Sequence, residues 1–365
     1  MSIGLEELQR IPTSGARAVE PIHVGGLDLL AVPQLAVDVP DAPAEMNGGD
    51  SDTELLVFQR VDGRYEPWST ISAPGGEDAE FFCIGDRAFL AVASIRSGRG
   101  PYDYATRSQT LTWDGSAFVP FQEVPSFAAK QWRHWSIGQR HFLGLAQGVA
   151  LPGIGGDNRP SVVFEWDGSR FAEFQQIPSR WAYNWHPFVL DGSTYVAHAE
   201  HLDASVLYRW DGRRLQAHQE LAPSGGRSFA TFQRDGESYL VVACLQGPSS
   251  VMRWDGERFL TIQVLEQPGA RELAAFEHCG RLFVARINFV TGPREDPTTS
   301  LISQVYEWVP NALQVVAEFP TTGGTDVAVV RDGPDLQLVV SNSLSPDVRF
   351  AAETVVYRLA VEQAA

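Results

Sequence analysis

The chain has 365 residues, 44% hydrophobic and 11% aromatic, with a formal net charge of −17. That composition supports a packed core and excludes a disordered chain. The acidity disfavours nucleic acid or an anionic membrane as partner. No apolar run approaches the roughly 18 residues of a membrane span.

The opening stretch, Met1-Ser2-Ile3-Gly4-Leu5-Glu6-Glu7, has neither the basic nor the apolar region of an export signal. Cys83, Cys244 and Cys279 are odd in number and scattered, which suits reduced thiols and predicts a cytoplasmic protein. Of 28 basic residues, Lys130 alone is lysine.

In chain order, the first predicted element is a short strand, Leu8-Gln9-Arg10-Ile11. A turn follows at Val61-Asp62-Gly63, and then Trp-Asp-Gly recurs at 113, 166, 210 and 254. Trp308-Val309-Pro310 takes the same place further on. Each is flanked by short β-rich runs, with Phe118, Phe171, Leu215 and Phe259 just beyond the glycine. Asp-Gly between such runs predicts type I′ hairpins with both central residues at positive φ. A second hairpin lies in each unit, as at Asp191-Gly192 and Asp235-Gly236.

Each unit therefore holds four antiparallel strands, here A to D, which is one propeller blade. Seven units fit, at 12–68, 69–121, 122–174, 175–218, 219–262, 263–316 and 317–361. The last supplies only strands A to C. Leu8-Gln9-Arg10-Ile11 aligns with Ile262-Gln263-Val264-Leu265, so residues 5–11 are expected to complete it. The prediction is a single all-β domain over 1–365, a seven-bladed β-propeller whose closed ring leaves no free edge.

The pattern in Gly323-Gly324-Thr325-Asp326, Phe276 and Val206-Leu207-Tyr208-Arg209-Trp210-Asp211-Gly212 resembles the epitempin repeat, also called EPTP or EAR. The resemblance spans nearly the whole chain and implies the same propeller fold. It also implies protein recognition, since known members are mainly extracellular recognition propellers. Asp78-Ala79-Glu80 is similar to the Asp-x-Glu that holds a channel calcium in secreted members, although Gln131 replaces the next blade's acid.

Long B–C loops at 33–53, 94–108, 147–160 and 288–303 all fall on one face, where binding is usually built. That face also carries the start of each innermost strand. Ala18, Asp78, Gln131, Asn184, Ser228, Glu272 and Asp326 share one register, preceded by Arg17, Glu77, Lys130, Tyr183, Arg227, Arg271 and Thr325. Two residues on come Glu20, Glu80, Arg133 and His186. The oxygens of Asp78, Glu80 and Asp326 suit a hard cation such as Ca²⁺ in the channel, with no cofactor otherwise required.

Blades 3 and 4 break the pattern together through Trp132, Trp181, Tyr183 and Trp185, near His186, His198 and His201. A two-residue turn at Asp191-Gly192 would set Trp185 opposite His198 and Tyr183 opposite Glu200. The expected ligand wall is Trp132, Arg133, Tyr183, Asn184, Trp185, His186 and His198, with Arg17, Arg227 and Arg271. These residues predict a small aromatic or anionic ligand, or a peptide, in the central pocket. The alternative is an enzyme using His186, Lys130, Glu272 and Asp326 for acid–base chemistry on such a substrate, of the kind found in specialised metabolism. A third is a protein-interaction scaffold. The residues leave oligomeric state open.

Overall fold

In the computed structural model, which describes residues 3–151, 154, 159–333 and 335–361, all secondary structure is β. It forms seven four-stranded sheets, arranged as the blades of a propeller. Blade 1 comprises Glu20–Val24, Leu27–Val32, Glu54–Val61 and Arg64–Ser72. Blades 2 to 6 occupy 76–125, 131–177, 182–222, 226–265 and 270–322. Each D strand thus runs a few residues past the boundary expected for it.

Blade 7 comprises Gly324–Asp332, Asp335–Asn342 and Thr354–Val361, and its outermost strand is Ile3–Ile11. Leu5 faces Leu359 and Ile11 faces Thr354. The ring closes as the strand count predicts. Ile11 is buried with Phe58 and Tyr65 of blade 1 and Val356 of blade 7, so it seals the seam from both sides.

The core lies between blades. Strands B are covered on both faces, and they read as continuous apolar runs such as Leu90-Ala91-Val92-Ala93, all fully buried. A second interblade device was not foreseen. Glutamines on strand D lay their side-chain amides along the next blade's backbone. Gln263 Nε2 donates to the Leu313 carbonyl (2.9 Å), and the Leu313 N–H donates back to Oε1 (2.8 Å). Gln122, Gln175 and Gln219 do the same to Phe171, Leu215 and Phe259. At the closure, Gln9 makes this pair with Tyr65 (2.7 and 2.9 Å).

The turns divide into two kinds. Asp62, Asp191 and Asp235 have φ of 50°, 48° and 52° and are followed by glycine at positive φ, the expected geometry. The Trp-Asp-Gly turns are different. Their glycines alone have positive φ (Gly168 at 100°), and the loop is longer, closed by the Asp167 N–H donating to the Arg170 carbonyl (3.0 Å). Asp167 Oδ1 accepts from the backbone N–H of Ser169 (2.8 Å) and Arg170 (2.9 Å). The carboxylate organises the turn from its first position, as an Asx-turn does, and this geometry displaces type I′. These hydrogen bonds lower Asp167 and Asp211 to about 2.

Candidate functional site: the channel and its mouth

Strand A of blades 2, 5, 6 and 7 carries a register shift at its start, between Gly76 and Asp78, Gly226 and Ser228, Ala270 and Glu272, and Gly324 and Asp326. Such a bulge inserts one residue and re-aims its side chain. Alternation alone would send Glu77 and Asp78 to opposite sides, yet both line the channel, as do Arg271 and Glu272. In blade 4 the shift lies between Ala182 and Trp185. Trp185 therefore faces His198 as expected, but Ala182, and not Tyr183, faces Glu200.

The mouth is two-tiered. The lower tier is the ring at the entry to the A strands, in which Arg17, Lys130, Arg227 and Arg271 meet Glu77. Arg17 and Arg271 clasp Glu77 at 3.8 and 3.2 Å. Burial pushes Glu77 up, but Arg17, Arg271 and Lys130 outweigh it and hold the carboxyl below its usual range. Burial lowers Arg17 to about 10 and lowers Arg227 as well. The Arg227 guanidinium stacks on Tyr183 at 3.8 Å, its Nη1 donates toward His201 Nδ1 (3.0 Å), and its buried Nε has no hydrogen-bond partner among the described residues.

The upper tier comes from the residues just after strand B. Leu35, Ile95, Leu245 and Phe289 donate their backbone N–H groups to Gly15, Gly75, Gly225 and Gly269 (2.8–2.9 Å), an equivalent rung in each blade. Gly75 has φ of +55°, and a Cβ there would meet the Arg96 carbonyl oxygen at 2.2 Å, so this rung needs glycine. Together with Met46, Trp181 and Val290, these side chains wall a cavity of about 390 Å³. Arg96 ties the rim together, donating to the carbonyls of Asn47 and Gly48 (both 2.5 Å) and stacking on Tyr102 at 3.7 Å. This apolar tier is not among the residues expected from the sequence. Its signal was an apolar residue at one fixed place after strand B in four blades.

Below the mouth, the channel of about 270 Å³ is lined by Arg133, Asn184, Glu272 and Asp326, with Asp78 and Glu20. Its acids serve the neighbouring blade. Asp78 accepts the Trp132 N–H (2.9 Å), Asp326 the Val19 N–H (2.8 Å), Glu20 the Phe81 N–H (2.8 Å) and Glu80 the His134 N–H (2.9 Å). Gln131 takes the same role toward the Trp185 N–H (2.6 Å), which explains why an amide can stand where an acid was expected. Glu80 also pairs with Arg133 at 2.8 Å. Among the described residues no three His, Cys, Asp or Glu side chains converge as a metal cage. Asp78, Glu80 and Asp326 thus each have at least one carboxylate oxygen engaged within the protein. Burial holds Asp78, Glu80 and Asp326 above the usual carboxylate range. Glu272, buried beside Asp326, rises to about 8 and bonds to Ser228.

The expected aromatic wall is split. Tyr183 and Trp181 line the mouth. Trp132 and Trp185, 1% and 0% exposed, point the other way into the interblade core, Trp132 against Phe164 and Trp185 against Trp135 and His198. They follow Gln131 and Asn184 by one residue, and alternation turns them from the channel. His198 is also buried, 3.1 Å from the Ser161 hydroxyl and lowered to about 3 by burial. His186 bonds to Thr231 (3.0 Å), is lowered to about 3 by burial and then Arg133, and lines an adjoining chamber of about 310 Å³ that shares Arg133, Asn184 and Glu272 with the channel. Of the four acid–base candidates, Lys130, Glu272 and Asp326 share the channel, and Glu272 also shares the adjoining chamber with His186. Of the blade 3 loop, residues 152, 153 and 155–158 lie outside the described residues, as do Met1 and Ser2.

The EPTP domain model matches residues 117–167, 170–211 and 214–255. Each match runs between successive Trp-Asp-Gly turns, so the sequence repeat holds strand D of one blade and A, B and C of the next. The chain is similar to the human thrombospondin-type laminin G domain and EAR repeat-containing protein, 32% identical over 96 residues, which is 26% of the chain and 14% of that protein. The mouse protein of the same description is 28% identical over 127 residues, 33% of the chain and 17% of its own length. The architecture is consistent with a propeller that binds a ligand or a protein.

Proposed function

We propose that this chain, which belongs to the EPTP-repeat β-propellers, uses its two-tiered mouth to bind a small anionic molecule with an apolar, preferably aromatic, body. The observation that carries this reading is the cationic ring of Arg17, Arg227 and Arg271 under walls of Leu35, Ile95, Leu245 and Phe289. In a chain of net charge −17, buried arginines gathered around one carboxylate attract an anion. Their guanidinium groups suit a carboxylate or phosphate. Tyr183 and Phe289, already stacked with Arg227 and Arg271, offer faces to a ring. The cavity volume falls within the range of small-molecule sites.

We place this site in the cytosol, a reading supported by three free cysteines, two of them exposed. The test is a thermal-shift and calorimetric survey of aromatic carboxylates and phosphates. Arg227→Met should cost a bound anion about 1.5–3 kcal/mol, the worth of a hydrogen bond to a charged group. If no anion stabilises the protein, or the variant binds equally well, the mouth is not an anion site.

A further inference from the structure

We propose that Lys130, at the floor of this mouth, captures the carbonyl group of an apolar aldehyde or ketone bearing an anionic group, as a reversible imine. The inference rests on the binding reading above and gives that ligand a second functional group. Lys130 is the sole lysine of the chain, is 5% exposed, and lines both the mouth and the channel. Its position just before strand A is fixed by its backbone N–H, which donates to the Ala146 carbonyl (2.8 Å).

The amine is poorly held. Among the described residues its one hydrogen bond is a long contact of 3.5 Å to the Ala128 carbonyl, and Nζ lies 5.9 Å from the Tyr183 ring centre. No carboxylate is within ion-pair distance among the described residues. Glu77 faces it but is already clasped by Arg17 and Arg271. The other basic groups facing this space are Arg96, Arg227, Arg294 and His201, so the surroundings oppose a second positive charge. Burial, and then Arg17, Arg271 and Arg96 against the pull of Glu77, lower the amine from 10.5 to about 7. At neutral pH the free amine is then on the order of a thousandfold more abundant than for an ordinary lysine.

A desolvated amine, largely unprotonated above pH 7 and set beside arginines that suit an anion, is the arrangement of a covalent carbonyl site. The Nζ lone pair attacks the carbonyl carbon and a proton passes from nitrogen to oxygen; the carbinolamine hydroxyl then takes a proton from solvent and leaves as water, giving a protonated imine. No oxidant or reductant takes part. The arginines would hold the anionic group and the apolar tier would hold the body.

The probe is 4-carboxybenzaldehyde, with sodium cyanoborohydride added to reduce the imine to a stable secondary amine. The full chain is labelled between pH 6 and 9 and the adduct mapped by mass spectrometry. The available amines are Lys130 and the chain's α-amino group, so the two sites are unambiguous. Labelling at Lys130 should dominate at pH 7, rise through a midpoint near pH 7, and vanish in Lys130→Arg. Unreactive 4-carboxybenzoate should bind the wild-type protein and slow the labelling. Should Lys130→Arg fail to fold, the ratio of the two amines within the wild-type molecule decides. If 4-carboxybenzoate binds but Lys130 stays unlabelled, or labels with the midpoint of an ordinary lysine, the imine is refuted and the anion site stands. If neither compound binds, both readings fall.

Discussion

Removing the Gln9 amide tests ring closure at a single side chain. Gln9 satisfies both the N–H and the carbonyl of Tyr65 across the seam between blades 7 and 1. In Gln9→Ala two hydrogen bonds are lost, each worth about 0.5–1.5 kcal/mol, and two half-buried backbone groups lose their partners. The expected loss is therefore about 1–3 kcal/mol, read as a lower urea midpoint with an unchanged slope. The comparison that sharpens it is Gln263→Ala, which breaks the same pair between blades 5 and 6. The two costs should agree within about 0.5 kcal/mol, because the geometry repeats. Arg10→Ala, on an exposed side chain paired with Glu7, should cost under about 1 kcal/mol. If Gln9→Ala matched Arg10→Ala while Gln263→Ala cost the full amount, the first strand would not seal the ring as described.

Two further outcomes follow from the channel. Glu272 is raised to about 8 when folded, so the folded state binds its proton more tightly than the unfolded chain. Its contribution is therefore present below about pH 4.5 and lost as pH rises toward 8, with a limiting slope of about 1.4 kcal/mol per pH unit. His186 and His198 act in the opposite sense below about pH 6.5, and Lys130 does so above pH 7. The readout is thus wild type against Glu272→Gln, and the variant should gain stability relative to wild type as pH rises from 6.5 to 8; a constant difference would refute the assignment. Chelation tests the cation expectation. Acids already accepting backbone N–H groups predict a melting temperature unaltered by EDTA, and a drop abolished in Asp78→Asn would establish a calcium site.

The fold was legible because a propeller writes its hairpins into the sequence as punctuation, and Gln9 could be matched to Gln263 before any coordinates. Turn type was less legible, since Asp-Gly serves two geometries. Which one forms depends on whether the carboxylate turns back onto the amides that follow, as in Asp167, or leaves them alone, as in Asp191. The charged ring was visible as a column of unlike residues. The bulge that aims Glu77 and Arg271 into the mouth was not, because an inserted residue alters pairing without altering composition. Trp132 and Trp185 drew attention by rarity, but one residue's shift along a strand sends a side chain to the opposite face, and theirs is the dry one.

The borrowed strand also sets an order of events. Ile3–Ile11 is made before every other strand, and its partner Thr354–Val361 is made after every other strand. During synthesis Leu5, Leu8 and Ile11 have no sheet to join while six complete blades form behind them. Ile3–Ile11 therefore waits for its partner until six blades have been made between them, and the arc becomes a ring in one late, long-range step. A chaperone that guards this protein would find its natural grip there, on the segment that must stay free the longest.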